Sequence, residues 1–158
     1  KSLVPLLEGS STAIREWALG GVWGNWVQVT DGRMKYARSA VESNAPLSIW
    51  SNRWSTMPIH FDGIVGMPPP DQRARLDTMP GSDIPVLRQP FESGDQMPIW
   101  AFGDNAVGKH YLFDLSVDPS EEENRVGEQG ERDMIELLRA ALQSIDSPGE
   151  QLSRIGIA

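Results

Sequence analysis

Trp50, Asn52, Arg53, Trp54 and His60 place two indole rings, an amide, a guanidinium and an imidazole in one short stretch. Such a set can bind a sugar on its ring faces or hold a sulfate, because Arg presents a planar fork of donors. Trp residues in a Pro-rich segment serve equally well to anchor a loop on its own core. A second set lies in Ile99-Trp-Ala-Phe-Gly-Asp-Asn-Ala-Val-Gly-Lys-His110. There Asp104 and Asn105 offer oxygens to a hard cation, and Lys109 an amine to an anionic oxygen. Two ligands make a poor metal site, and the competing reading is a Gly-flanked turn between two strands. His60 and His110 are the only histidines. Neither has an acidic pair beside it, and no Ser context resembles a nucleophile elbow. The residues assign no catalytic group and no metal ligand.

A third set follows Tyr111-Leu-Phe-Asp-Leu115, where Asp114, Ser116, Asp118, Ser120 and Glu122 alternate like the start of a calcium loop. The sixth position of that loop needs Gly and is Pro119; the twelfth needs Glu and is Arg125. The segment reads instead as a structural turn that starts a helix. Asp118 caps free N–H groups, Pro119 suits the first helical position, and Glu121 falls where a capping box wants an acid.

The elements that must position these groups follow from periodicity. Residues 16–22 and 25–30 are strand candidates, and Asp31-Gly32 signals a type I′ hairpin joining Trp26-Val-Gln-Val-Thr30 to Met34-Lys-Tyr-Ala-Arg38. The alternation of Tyr111 to Leu115 makes a further strand. Residues 44–98 carry most of the prolines but too many Trp, Met, Phe and Ile for a solvated linker, so most of them read as ordered loop. Within and just beyond that loop, 49–54, 86–87 and 99–102 are short strand candidates. Met134, Leu137, Leu138, Ala141, Leu142 and Ile145 fall at helical spacing over 131–146, and Pro148-Gly149 ends that helix. The expected fold is α+β: a small antiparallel sheet of about four strands packed against one C-terminal amphipathic helix, with a long Pro-rich ordered loop region.

At 158 residues the chain is read as a single domain. Its formal charge of −8 argues against nucleic acid or an anionic membrane as partner. No apolar run approaches transmembrane length. A start at Lys1 rather than Met suggests a processed or truncated chain. The absence of Cys rules out disulfides, thiolate nucleophiles and cysteine-rich zinc sites, and leaves the compartment undetermined.

Three phrases, in this order, resemble the C-terminal portion of the sulfatases of the alkaline phosphatase superfamily. They are Ser2-Leu-Val-Pro-Leu-Leu-Glu-Gly9, Val29-Thr-Asp-Gly-Arg-Met-Lys-Tyr-Ala-Arg38, and Tyr111-Leu-Phe-Asp-Leu-Ser-Val-Asp-Pro-Ser-Glu-Glu-Glu-Asn124. A terminal helix and Glu150-Gln-Leu-Ser-Arg-Ile-Gly156 complete the order. Residues 44–98 are longer than the connection usual in that family.

The resemblance implies a small antiparallel sheet with a packed C-terminal helix, set on a much larger α/β catalytic domain. In such enzymes the nucleophile is a formylglycine made from Cys or Ser in a Cys/Ser-x-Pro-x-Arg phrase, which this sequence lacks. The divalent metal, calcium, would likewise belong to the catalytic domain, so this chain alone is expected to be inactive. Its implied partner is that domain, with Trp50, Asn52, Arg53, Trp54 and His60 as candidate contacts to a sulfated small molecule or glycan. The competing reading is a stand-alone module binding carbohydrate or sulfated glycan. Self-association through an exposed aromatic surface is expected where the covering domain is absent.

Overall fold

The computed structural model describes residues 2–22, 24–52, 74–79, 82–91 and 107–158. In chain order the elements are α1 (Val4–Leu7), β1 (Ala18–Gly21), β2 (Val27–Thr30), β3 (Met34–Arg38), β4 (Leu47–Ser51) and β5 (Arg75–Thr78). They continue with β6 (Pro85–Phe91), β7 (Tyr111–Asp114), α2 (Glu131–Ser144) and α3 (Gly149–Arg154). Four strands form an antiparallel sheet in the order β1-β2-β3-β7, and three form a second in the order β4-β6-β5. The fold is α+β.

The core sits between the first sheet and α2. Val29 stands opposite Tyr36, and Tyr36 opposite Leu112, so one face of three strands carries a continuous row of buried side chains. Met134, Leu138, Ala141 and Leu142 cover that row from α2, at the spacing that sets them on one helical stripe. Leu152, Ile155 and Ile157 close the cluster from α3 and the tail. The expected fold has one C-terminal helix, ended by Pro148-Gly149, but after Pro148 the chain turns into a second, six-residue helix. On the sheet's other face Tyr111 stacks on Phe113, and Trp26 meets Tyr111 edge-on.

The hairpin at Asp31 forms with both arms as expected, Val27 opposite Arg38 and Thr30 opposite Lys35. Its turn is not type I′, which needs positive φ at both central residues. Gly32 alone adopts one, at +93°. Asp31 is instead the first residue of the turn, and its Oδ1 accepts the N–H groups of Arg33 and Met34 at 2.8 and 2.7 Å. A carboxylate takes the place of a main-chain acceptor and moves the turn one residue along.

The second sheet lies within 44–98, a stretch the sequence presents as loop with short strands. Leu47–Ser51 overlaps the predicted 49–54 over 49–51 and Pro85–Phe91 contains 86–87, whereas 53–54 and 99–102 fall outside the described residues. β5 has no alternating apolar pattern, and only Asp77 in it is better than exposed. It is held by pairing with β6, which it flanks as a short charged edge. Pro90 lies opposite Ser48 on β4 and past Arg88, the last residue of β6 that faces β5, so the β5 ladder asks no N–H of it.

The acidic segment after β7 caps a turn but does not begin a helix. Asp118 accepts the N–H groups of Glu122 and Glu123 at 3.1 and 3.0 Å, too far along the chain for a helical cap. Glu121 adopts a left-handed φ of +58° and gives its carboxylate to Lys35 on β3 at 2.7 Å. Asp114, 4% exposed, accepts Arg33 Nη2 at 2.8 Å and the N–H and hydroxyl of Ser116. These bonds, Arg33's first, hold its carboxyl well below the usual range against the opposing effect of burial. The helix begins only at Glu131.

Leu138 has no exposed surface, so Leu138→Ala should cost about 2–5 kcal/mol in urea unfolding through the lost burial and the cavity it leaves. Asp114 has a depressed folded-state pKa, so its stabilisation is complete above the ordinary carboxyl range near pH 4 and fades as pH falls below it. Asp114→Asn should therefore lower stability at pH 7 while flattening the acid limb of the stability curve, as measured by urea midpoints between pH 7 and 2.

Candidate functional site

Trp50 lies on β4 and Asn52 just past its end, half-buried and exposed respectively. Arg53, Trp54 and His60 lie outside the described residues. The side chain that joins Trp50 is Arg88, which sequence spacing alone does not bring near. Antiparallel pairing sets Arg88 directly opposite Trp50, and directly opposed residues share a face of the sheet. Its guanidinium carbon stands 5.4 Å from the indole centroid, within reach of a cation–π contact. The signal that would have found it is register: once β4 and β6 are recognised as partners, the pair follows.

Arg88 is held from four directions. Besides Trp50, its Nε donates to Ser48 Oγ at 3.1 Å, Nη1 lies 3.5 Å from Asp77 Oδ2, and Nη2 pairs with the carboxylate of Glu150. Glu150 is in the first turn of α3, where an acid suits the helix dipole. Arg88 thereby ties the second sheet to the start of α3. Two carboxylates compensate its charge, so Arg88 does not present an open fork to a sulfate. What the face offers a ligand is the remaining indole surface and the exposed amide of Asn52, which permits stacking and hydrogen bonding.

The second candidate set is divided. Asp104 and Asn105 lie outside the described residues, and Lys109 is exposed, with its backbone carbonyl accepting the Trp26 indole N–H at 3.2 Å. Among the described residues no group of three or more acidic or His side chains is placed to hold a metal ion.

His110 meets a residue that the sequence did not link to it. Its Nδ1 accepts the Ser39 N–H at 3.3 Å and lies 3.4 Å from Ser39 Oγ. Burial, then the charge of Arg38, pushes the imidazole below its ordinary range, with Glu131 opposing. A Ser–His contact suggests a nucleophile and its base. Ser39 has no exposed surface, however, and its hydroxyl donates to the Ala40 carbonyl, so the pair locks the end of β3 to the start of β7.

Beside it, the Tyr36 hydroxyl donates to Glu131 Oε1 at 2.9 Å and accepts from Arg38 Nη1 at 2.7 Å. Arg38 Nε reaches the Ile155 carbonyl at 2.6 Å, while Glu131 Oε2 accepts the Gly127 N–H at 2.7 Å. Sheet, helix start and tail thus meet at one phenol. Burial is the main reason its pKa is pushed up to about 12.

Because the folded state keeps the Tyr36 proton longer than the unfolded chain does, its stabilisation is complete below about pH 10 and is lost as pH rises through 12. A spectrophotometric titration at the phenolate band should show a late phase that Tyr36→Phe removes. Arg88→Met should remove the cation that Glu150 pairs with, leave Asp77 to Arg75, and cost about 1–3 kcal/mol in urea unfolding. Compared with protein-family models, with curated proteins and with solved structures, the chain matches none.

Proposed function

We propose that the chain is the C-terminal, non-catalytic subdomain of a sulfatase-like sulfuric ester hydrolase of the alkaline phosphatase superfamily. In that role it completes one wall of the substrate cleft and stabilises the catalytic domain. The observation that supports this best is that two phrases far apart in sequence form one unit. Met34–Arg38 pairs with Tyr111–Asp114, and Arg33–Asp114 and Lys35–Glu121 bridge the basic hairpin to the acidic turn. Glu131 then joins both to α2 through Tyr36. A small antiparallel sheet under a C-terminal helix is also the arrangement that the resemblance implies.

The first phrase supplies a surface for the larger domain. Leu3, Val4, Leu6 and Leu7 are exposed on and beside α1, Leu7 to 84%. The large apolar side chains exposed among the described residues are aliphatic, and Trp17, Trp26 and Trp50 are half-buried. The docking face in this reading is therefore aliphatic. Formylglycine and calcium belong to the catalytic domain, while Trp50 and Asn52, with Arg53, Trp54 and His60, border the cleft. A stand-alone module for carbohydrate or sulfated glycan would use the same Trp50 and Asn52 without a catalytic partner.

The decisive experiment is to read the coding sequence upstream of Lys1. An in-frame α/β domain carrying a Cys/Ser-x-Pro-x-Arg phrase is the expected result, and a stop codon or unrelated sequence there overturns the proposal. The chain alone should not turn over a chromogenic aryl sulfate. Isothermal titration with sulfated sugars should be silent, whereas micromolar binding would favour the stand-alone module.

A further inference from the structure

Arg154, the last residue of α3, is 2% exposed, and among the described residues its side chain donates to neutral oxygens. Nε donates to Gln151 Oε1 at 3.2 Å, Nη1 to Asn44 Oδ1 at 2.7 Å, and Nη2 to the Asn25 carbonyl at 3.1 Å. No carboxylate among the described residues forms an ion pair with it, in contrast to Arg33 and Arg88. Each of its three nitrogens thus has an acceptor, but among the described residues these acceptors hold the guanidinium without a formal counter-charge. Its position in the last turn of α3 sets it near partial negative charge, which offsets a full buried cation only in part. Burial lowers its pKa to about 10, so the group is still a cation at neutral pH.

Arg154 also lines an open groove of about 390 Å³ along β1, the edge strand of the first sheet. Leu19, Val22, Leu142 and Ile145 share the lining with Arg154 and Gln151. Val22 and Ile145 are 44% and 57% exposed, so the groove's apolar wall faces solvent. Small-molecule sites combine such apolar walls with a few fixed polar groups, in volumes of roughly 300–1,000 Å³.

We infer that this groove binds a small amphipathic monoanion, a carboxylate or sulfate on an apolar body, with Arg154 facing the anionic head and Leu19, Val22, Leu142 and Ile145 taking the tail. The ligand supplies the counter-charge that the described fold does not. Its binding does not depend on the chain's being part of a sulfatase.

The test is NMR titration of the ¹⁵N-labelled chain with octanoate, and with octanol as the uncharged analogue. Octanoate should give saturable shifts at the amides of Gly20, Gly21, Val22 and Ile145, with octanol weaker by at least about tenfold, as a charge-assisted contact requires. Ile145→Trp fills the groove from an exposed position without touching Arg154, and should abolish the octanoate shifts while the rest of the spectrum is retained. Arg154→Gln should bind octanoate and octanol alike. The inference is overturned by any of three results: equal affinity of the native chain for both compounds, unchanged octanoate binding in Ile145→Trp, or no saturable shift at millimolar octanoate.

Discussion

The pairing of β3 with β7 is the constraint on which the rest of the molecule depends. Residues 39–110 separate these strands, so their meeting carries the loop-closure entropy of a long segment. Two features offset that cost. The pairing brings Leu112 beside Tyr36 and extends the floor on which α2 packs. It also aligns Arg33 with Asp114 and Lys35 with Glu121, both across the same junction. Without β7 the helix loses part of its apolar floor, and the acidic turn loses Arg33 and Lys35. The pairing converts a local hairpin into a sheet wide enough to bury a helix.

The long excursion between the two strands is not left hanging. It contains the second sheet, whose central strand carries Arg88, and Arg88 is bound by Glu150 at the start of α3. Packing ties the ends of the chain to the first sheet, and the Arg88–Glu150 ion pair, with the bonds of Asn44 and Val41 to Arg154, ties the middle back to α3. This division explains why Arg88 is crowded by two carboxylates, a hydroxyl and an indole: the group fixes one sheet relative to the helices. The residue that looks most like a sulfate receptor beside Trp50 is occupied by the fold itself.

Whatever depends on local periodicity was legible in the sequence. The stripe from Met134 to Leu142 specified α2 to within two residues, and the alternation around Val29 and Tyr36 specified both hairpin arms. Features set by distant partners were not. β5 has the pattern of a solvated segment and becomes a strand because β6 is beside it. Asp118 reads as a helix cap, but Lys35 draws Glu121 into a left-handed turn from a strand far away in sequence. At the candidate site Trp50 could be nominated from its neighbours in sequence, while Arg88, its neighbour in space, required the strand register. Arg154 gave no signal at all, since nothing in Glu-Gln-Leu-Ser-Arg says which of its charges will be buried.

The handling of charge around α3 sharpens that last point. The chain has 22 acidic residues to 14 basic ones, so counter-ions for a buried Arg are plentiful. Glu150 lies four residues before Arg154 on α3, the spacing and order that favour an ion pair along a helix. The fold instead commits Glu150 to Arg88. Among the described residues Arg154 has an amide from Gln151, an amide from Asn44 and a backbone carbonyl, an acceptor set that fixes the guanidinium in place but leaves its charge in place too. Neutral acceptors could equally be served by a neutral donor, at less desolvation cost than a guanidinium incurs. The charge itself therefore needs a reason that these contacts do not supply. A solvent-facing apolar groove lined by the same residue is where an anionic head with an apolar tail would supply it.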